Sequence, residues 1–250
     1  MRFGAILLVG GRSTRMGQAK ATLDWHGEPL AGRVARVLAR AVGDGPVVVV
    51  SAPGQEVPGL PVGAEVVEDP HEGDGPLRGL ATGLAALEGR AEIAFASSVD
   101  LPFLNAPFIM AVLAAIEGDD AAVPAAEDRR DPLPAAYRVA LRPLCDELLA
   151  QGERRLGVVL ERVAARLVPV GEVELEALRN INTPAEYEEA FSLAAPLVTV
   201  DGVDTRAWRL EQVLAGQSAA TVNGAPIEPD PWYPLAPGDR ISLIGRTPTA

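Results

Sequence analysis

The apolar positions of this chain fall into short, nearly continuous runs, separated by stretches rich in glycine and charge. The stretch "RFGAILLV" at residues 2–9 is bounded by glycines and predicts a strand buried on both faces, as strands of parallel sheets are. The segment "PLAGRVARVLARAV" then places Leu30, Val34, Val37, Leu38 and Val42 close to one helical face, with its arginines elsewhere. Three more runs, "GPVVVVSA", "AEVVED" and "AEIAFASSVD", predict the second, third and fourth strands. The segments "PLRGLATGLAAL" and "APFIMAVLAAIEG" predict helices after the third and fourth. Further strands are expected at "DAAVPA", "PLPAAYR" and "RLVPV", and further helices at "ALRPLCDELLAQG" and "RRLGVVLERVAA". A last helix is expected at "TPAEYEEAFSLAA", with Thr183 as its N-cap and Pro184 in its first position.

Strand and helix alternate from residue 3 to about 125. This predicts an α/β fold, a Rossmann-like open and mostly parallel sheet with helices on both faces. Ligands of such sheets bind outside the carboxyl ends of the strands. The loops at 10–20, 69–76 and 100–104 would gather there. From about residue 196 the pattern changes. "APLVTVDGV" reads as strand and turn, "DTRAWRLEQVLAG" as a short helix, "AATVNGAPIEP" as strand and turn, and "LAPGDRISLIG" as turn and strand. Two domains are therefore expected, 1–195 and a small β-rich unit at 196–250.

Composition narrows the function. The formal net charge is −12, which counts against nucleic acid or an anionic membrane as the main partner. One cysteine, Cys145, sits among helical apolar neighbours and reads as a small buried hydrophobe; no disulfide framework can form. Two histidines, His26 and His71, are too few for a histidine-rich metal site. The first apolar run is too short for a signal peptide, and nothing approaches a membrane span, so a cytoplasmic protein is expected.

One residue stands out against that background. Of the 22 basic residues, 21 are arginine, and the one lysine, Lys20, closes the loop "GGRSTRMGQAK" after the first strand. Glycines let backbone N–H groups approach an anion, and Arg15 and Lys20 would neutralise it, so the loop suits phosphate. It is neither a P-loop, since Ala21 follows the lysine, nor the dinucleotide G-x-G-x-x-G. Asp100 ends the fourth strand on the same edge. It suits a Mg²⁺ ligand beside phosphate and equally a carboxylate capping the turn before Pro102. The acidic stretch "VEDPHEGDGPLRG" reads as a solvated loop whose interest lies in its position. Asn180 and Asn182 precede the last helix and could cap it or complete a metal site. No Ser-His-Asp order, G-x-S-x-G or HExxH is present. The parts suit attack of one phosphate on another, since a phosphate nucleophile is already ionised and needs no protein base.

The stretch "LLVGGRSTRMGQAKATLDWHGEPL" resembles the signature of the molybdenum cofactor guanylyltransferases, within the wider NTP-transferase superfamily. Further matches follow in order: "VVEDPHEGDGPLRGLATGL", "ASSVDLPFL", "PLPAAYR", "QGERRL" and "RNINTPAEY". The resemblance spans about residues 3–192 and implies a nucleotide-diphospho-sugar transferase type of sheet. It also implies that Leu8, Val9, Gly10 and Gly11 meet the nucleotide, that Arg15 and Lys20 hold the triphosphate, and that Asp69 contacts the nucleotide. Asp100 would bind nucleotide and Mg²⁺, Asn182 would help hold the metal, and Arg154 and Arg155 would face the phosphate of the pterin acceptor. The substrates it implies are GTP and molybdopterin. The Gly10-Gly11 pair favours guanine, while Val9 stands where both guanylyl and cytidylyl signatures carry alanine, and Ser51 stands near where guanylyl members can carry an asparagine. A cytidylyltransferase acting on molybdopterin or another phosphorylated acceptor is the nearer alternative. A non-catalytic nucleotide-binding scaffold is the more distant one. The tail "ATVNGAPIEPDPWYPLAPGDRISLIG" resembles the later half of a β-grasp sulfur carrier. It ends "GRTPTA" in place of Gly-Gly, so carrier chemistry is expected to be absent; docking of a cofactor-biosynthesis protein, a structural role and chance similarity of a small β unit stay open.

Overall fold

Four consecutive valines, Val47–Val50, are each at most 5% exposed. An unbroken run of this kind needs cover on both faces, and the sheet provides it. In this computed structural model the described residues are 1–10, 16, 19–70, 73–126, 129–217, 219–227 and 230–244. The chain divides into two compact units, Met1–Tyr187 and Glu188–Ala250.

The first unit starts with β1 (Phe3–Leu8), a short hairpin of β2 (Asp24–Trp25) and β3 (Glu28–Pro29), and α1 (Leu30–Val42). β4 (Val47–Ser51), β5 (Ala64–Glu68), α2 (Gly75–Leu87), β6 (Ile93–Ser98) and α3 (Ala106–Ala115) follow. Then come β7 (Ala121–Ala126), β8 (Arg129–Arg130), β9 (Ala135–Arg138), α4 (Arg142–Ala150), α5 (Gly157–Glu161), β10 (Ala165–Pro169), α6 (Glu172–Ala177) and the first half of α7 (Pro184–Phe191). The strand order is β10-β7-β9-β6-β1-β4-β5, with β8 beside β7. β1 pairs in parallel with β4 and β6, β4 with β5, and β7 with β10. β9 runs antiparallel to both its neighbours, β6 and β7. The sheet is thus mostly parallel, and its one reversed inner strand brings the loop before β9 to the edge where β6 and β7 end.

Side chains alternate across each strand. Ile6, Leu8, Val48 and Val50 pack with Leu77, Leu80 and Leu84 of α2 and with Cys145 and Leu148 of α4. The alternate residues Ala5, Leu7, Val47 and Val49 are equally buried on the other face, where α1 and α3 lie. Helix α2 comes unusually close to β1, because a Cβ on Gly83 would fall 2.6 Å from Ile6 Cγ2. Burial pushes the Cys145 thiol up to about 12, so it acts as a small apolar residue, as expected.

The second unit holds β11 (Leu197–Val200), β12 (Val203–Arg206), β13 (Ala219–Val222), β14 (Ala225–Ile227) and β15 (Arg240–Ile244), in the order β12-β11-β15-β13-β14. Its first and last strands are parallel neighbours, each flanked by an antiparallel partner. Val198, Leu210, Ala220, Val222 and Ile241 are among its core residues.

Three expectations change. The stretch "DTRAWRLEQVLAG" is strand β12 followed by a single 3-10 turn at Leu210–Gln212, not a helix. Asp201 and Gly202 both have positive φ, so they form a tight hairpin turn that carries the following residues back along β11. The helix expected at "RRLGVVLERVAA" shrinks to five residues, because the chain must turn at Arg162 to enter β10. Helix α6 lies where no element was expected.

Candidate active site

Lys20 opens a 3-10 turn, Lys20–Thr22, directly after the loop that leaves β1. Its ammonium donates to Asp100 Oδ2 at 3.0 Å and to Asn182 Oδ1 at 2.8 Å. Three residues separated by 80 and 162 positions therefore meet at one nitrogen. The Lys20 and Asp100 side chains are 15% and 19% exposed, so water screens their attraction only in part.

Each member is positioned by the fold. Asp100 follows β6, and its Oδ1 accepts the hydroxyl of Ser98 from the end of that strand. Its backbone carbonyl accepts the Ile181 N–H at 2.9 Å, which ties the Asn180–Asn182 turn to the sheet edge. Asn182 is held by a reciprocal cap of α7. Glu186 accepts the N–H groups of Asn182 and Thr183, while Thr183 Oγ1 accepts the Glu186 N–H. The Asn182 N–H, above all, holds the Glu186 carboxyl below its ordinary range, with help from Thr183 and the nearby Lys20 charge. Thr183 acts as the cap that its sequence position predicted.

Leu8, Val9 and Gly10 form the exit of β1. The Val9 N–H donates to the Val50 carbonyl at 3.0 Å, and Gln55 Nε2 donates to the Val9 carbonyl. A Cβ on Gly10 would stand 3.3 Å from the Ala52 nitrogen, so the chain passes close to the end of β4 there. Asp69, at the end of β5, donates its N–H to the Ser51 carbonyl at 2.8 Å. Ser51 is fully buried and its Oγ lacks a hydrogen-bond partner among the described residues. Gly11, Arg15, His71 and Glu72 lie outside the described residues.

Arg154 and Arg155 sit differently. Arg154 Nε donates to Asp74 Oδ1 at 3.2 Å, and Asp74 also takes Arg78 at 3.4 Å. Gly75 beside them has φ +78°, and a Cβ there would stand 2.9 Å from the Arg154 carbonyl oxygen. Arg155 donates to Glu153 at 2.9 Å and draws that carboxyl down to about 2. Sequence reasoning missed Ser98, Glu186 and Gln55. The first two had signals: a polar pair closing an apolar strand, and Glu three residues after Thr.

A family model described as "MobA-like NTP transferase domain" matches residues 5–168. The chain belongs to the MobA-like NTP transferase family. Membership makes it a nucleotidyltransferase by fold and lineage. A relative from Bacillus licheniformis, named "Probable molybdenum cofactor guanylyltransferase", is 32% identical and covers 74% of this chain and 94% of its own. One of the same name from Mycobacterium tuberculosis is 34% identical, covering 72% of this chain and 89% of its own. The crystal structure of "Molybdopterin-guanine dinucleotide biosynthesis protein A" from Archaeoglobus fulgidus superposes with a TM-score of 0.61. It is 24% identical and covers 75% of this chain and 96% of its own, which speaks for the fold. The family match ends before Asn182 and before the second unit. No helix among the described residues is long and apolar enough to cross a membrane.

Proposed function

We propose that this nucleotidyltransferase moves GMP from GTP to the terminal phosphate of molybdopterin, forming a guanine dinucleotide and releasing pyrophosphate. An acceptor phosphate oxygen forms the new bond to the α-phosphorus. The bond from that phosphorus to the β-bridging oxygen breaks, and the electron pair leaves with pyrophosphate. No protein base is required. The chain must hold two anions in line and absorb charge.

The observation that carries this reading is the convergence of Asp100 Oδ2 and Asn182 Oδ1 on a single cation, the Lys20 ammonium. A carboxylate and an amide oxygen already aimed at one positive centre are a fitting donor pair for Mg²⁺. Among the described residues no group of three or more His, Cys, Asp or Glu forms a metal cluster. Phosphate oxygens and water commonly supply other ligands of this ion. When bound, Mg²⁺ would neutralise phosphate charge at Asp100. Lys20 would then turn from these oxygens to the triphosphate, with Arg15 beside it. Leu8, Val9, Gly10 and Gly11 would line the nucleotide and Asp69 would contact it. The guanylyl names of the curated relatives support guanine over cytosine. The parallel pairing of β11 with β15 in the second unit supports a β-grasp-like domain.

The test is pyrophosphate release with molybdopterin, Mg²⁺ and each of GTP, CTP, ATP and UTP. Release with GTP alone is expected. Release with CTP alone would move the protein to cytidylyl transfer. Tight nucleotide binding without release would make it a nucleotide-binding scaffold.

A further inference from the structure

The hydrogen-bond ladder between β1 and β4 is interrupted where the two strands end. Bonds of a parallel pair are evenly spaced and pass from strand to strand in turn. After the Val9 N–H has donated to the Val50 carbonyl, the next bond would carry the Ala52 N–H to the Val9 carbonyl. Both groups bond to Gln55 instead. Gln55 Oε1 accepts the Ala52 N–H at 3.1 Å, and Gln55 Nε2 donates to the Val9 carbonyl at 3.3 Å. One side-chain amide thus stands where a direct backbone bond belongs. Donor and acceptor are both satisfied, and the strand ends are held apart by the width of the amide.

The sequence builds this insertion locally. Ala52, Pro53, Gly54 and Gln55 form a turn closed by the Gln55 N–H on the Ala52 carbonyl at 3.1 Å. Proline stands second and Gly54, with φ +68°, stands third, the pattern of a type II turn. Closing the turn carries the Gln55 side chain back over the end of β4. At the end of β5, Glu68 Oε1 accepts the Gly54 N–H at 2.9 Å, so the turn is moored to β1 on one side and to β5 on the other. The amide also fixes a peptide plane. In a trans peptide the carbonyl and the N–H point opposite ways. With the Val9 carbonyl turned to Gln55, the Gly10 N–H is turned away from it, and it has no acceptor among the described residues.

We propose that Gln55 is a positioning residue for the nucleotide: its inserted amide keeps the ends of β1 and β4 apart and aims the Gly10 N–H into the opening. This rests on the reading that Leu8–Gly11 line the nucleotide. Gln55 acts through Val9 and Gly10 and touches no reacting group.

The test measures binding of GTP, CTP, ATP and UTP, each with Mg²⁺, to the full-length protein by calorimetry, beside thermal melting. In Gln55→Ala the freed Ala52 N–H and Val9 carbonyl can pair directly, so melting near wild type is expected. Nucleotide affinity should fall about tenfold, the scale of one lost hydrogen bond. Gln55→Glu keeps an acceptor for Ala52 but sets a carboxylate against the Val9 carbonyl, and should lose at least as much. In turnover, KM for the nucleotide should rise by a larger factor than kcat falls, with the acceptor KM unchanged. Wild-type nucleotide affinity in both variants overturns the proposal, as does a loss of affinity that only follows a loss of folded protein in the melts. A fall in affinity for CTP in place of GTP supports the role of Gln55 while overturning the choice of guanine. A wild type that binds none of the four overturns both.

Discussion

Among the described residues of the first unit, the charged clusters at Lys20 and at Asp74 are built on opposite plans. At the end of β6 one ammonium serves two acceptors, Asp100 and Asn182, and both side-chain groups of the ion pair are largely sheltered. At the start of α2 the plan is inverted: one carboxylate, Asp74, serves two guanidiniums, Arg78 and Arg154, while Arg155 is 78% exposed and chelated by Glu153. A compact ammonium can be replaced between its acceptors by another cation. A guanidinium fixed by its own neighbour has its donors committed. The first plan suits exchange during a reaction and the second suits a scaffold.

Asp100→Ala should break this contrast most strongly. Turnover should fall on the order of 10³-fold while circular dichroism and melting stay near wild type. Unchanged activity would remove the metal assignment. Lys20→Arg keeps the charge but replaces a point donor by a fork, and about a tenfold to hundredfold loss of kcat is expected. Full activity would mean that charge alone suffices. Thr183→Ala removes the cap that fixes the Asn182 turn. A cost of about 1 kcal/mol in chemical denaturation is expected, with a higher KM for the metal.

Glu186 gives the pH-dependent comparison. Its folded pKa is lowered, so the stability it adds is complete above its ordinary value of 4.5 and is lost as pH falls through the depressed folded value. Glu186→Gln should therefore melt lower than wild type at neutral pH, and the two should converge in acid. A gap that persists below that window would assign the effect to something other than ionisation. Arg154→Ala, on a partly exposed pair, should cost under about 1 kcal/mol and leave the acceptor KM unchanged. A raised acceptor KM would assign the pterin phosphate to the basic pair, as the sequence resemblance implied.

The sheet and the Lys20–Asp100 edge were legible because they follow local rules: apolar runs bounded by glycine, and a charged residue where a strand must stop. The meeting of Lys20 with Asn182 was not, since no local pattern links positions 162 apart. "PLPAAYR" marks β9, but nothing in it states that this strand runs backwards. Helix α6 is six residues long, too short for a full amphipathic period, so it left no signal. The turn at Asp201-Gly202 was expected; the strand β12 that returns from it was read as helix, although Asp-Gly between apolar runs marks a hairpin.

Helix α7 runs from Pro184 to Phe191, while the first compact unit closes at Tyr187. The helix thus follows the turn that aims Asn182 and continues in sequence past Tyr187. Recombination that trades the second module for another would have to splice beyond Phe191. A crossover nearer residue 168, where the family match ends, would discard Asn182 and with it one of the two acceptors of the Lys20 ammonium, so a splice that keeps this cluster whole is expected downstream of the helix.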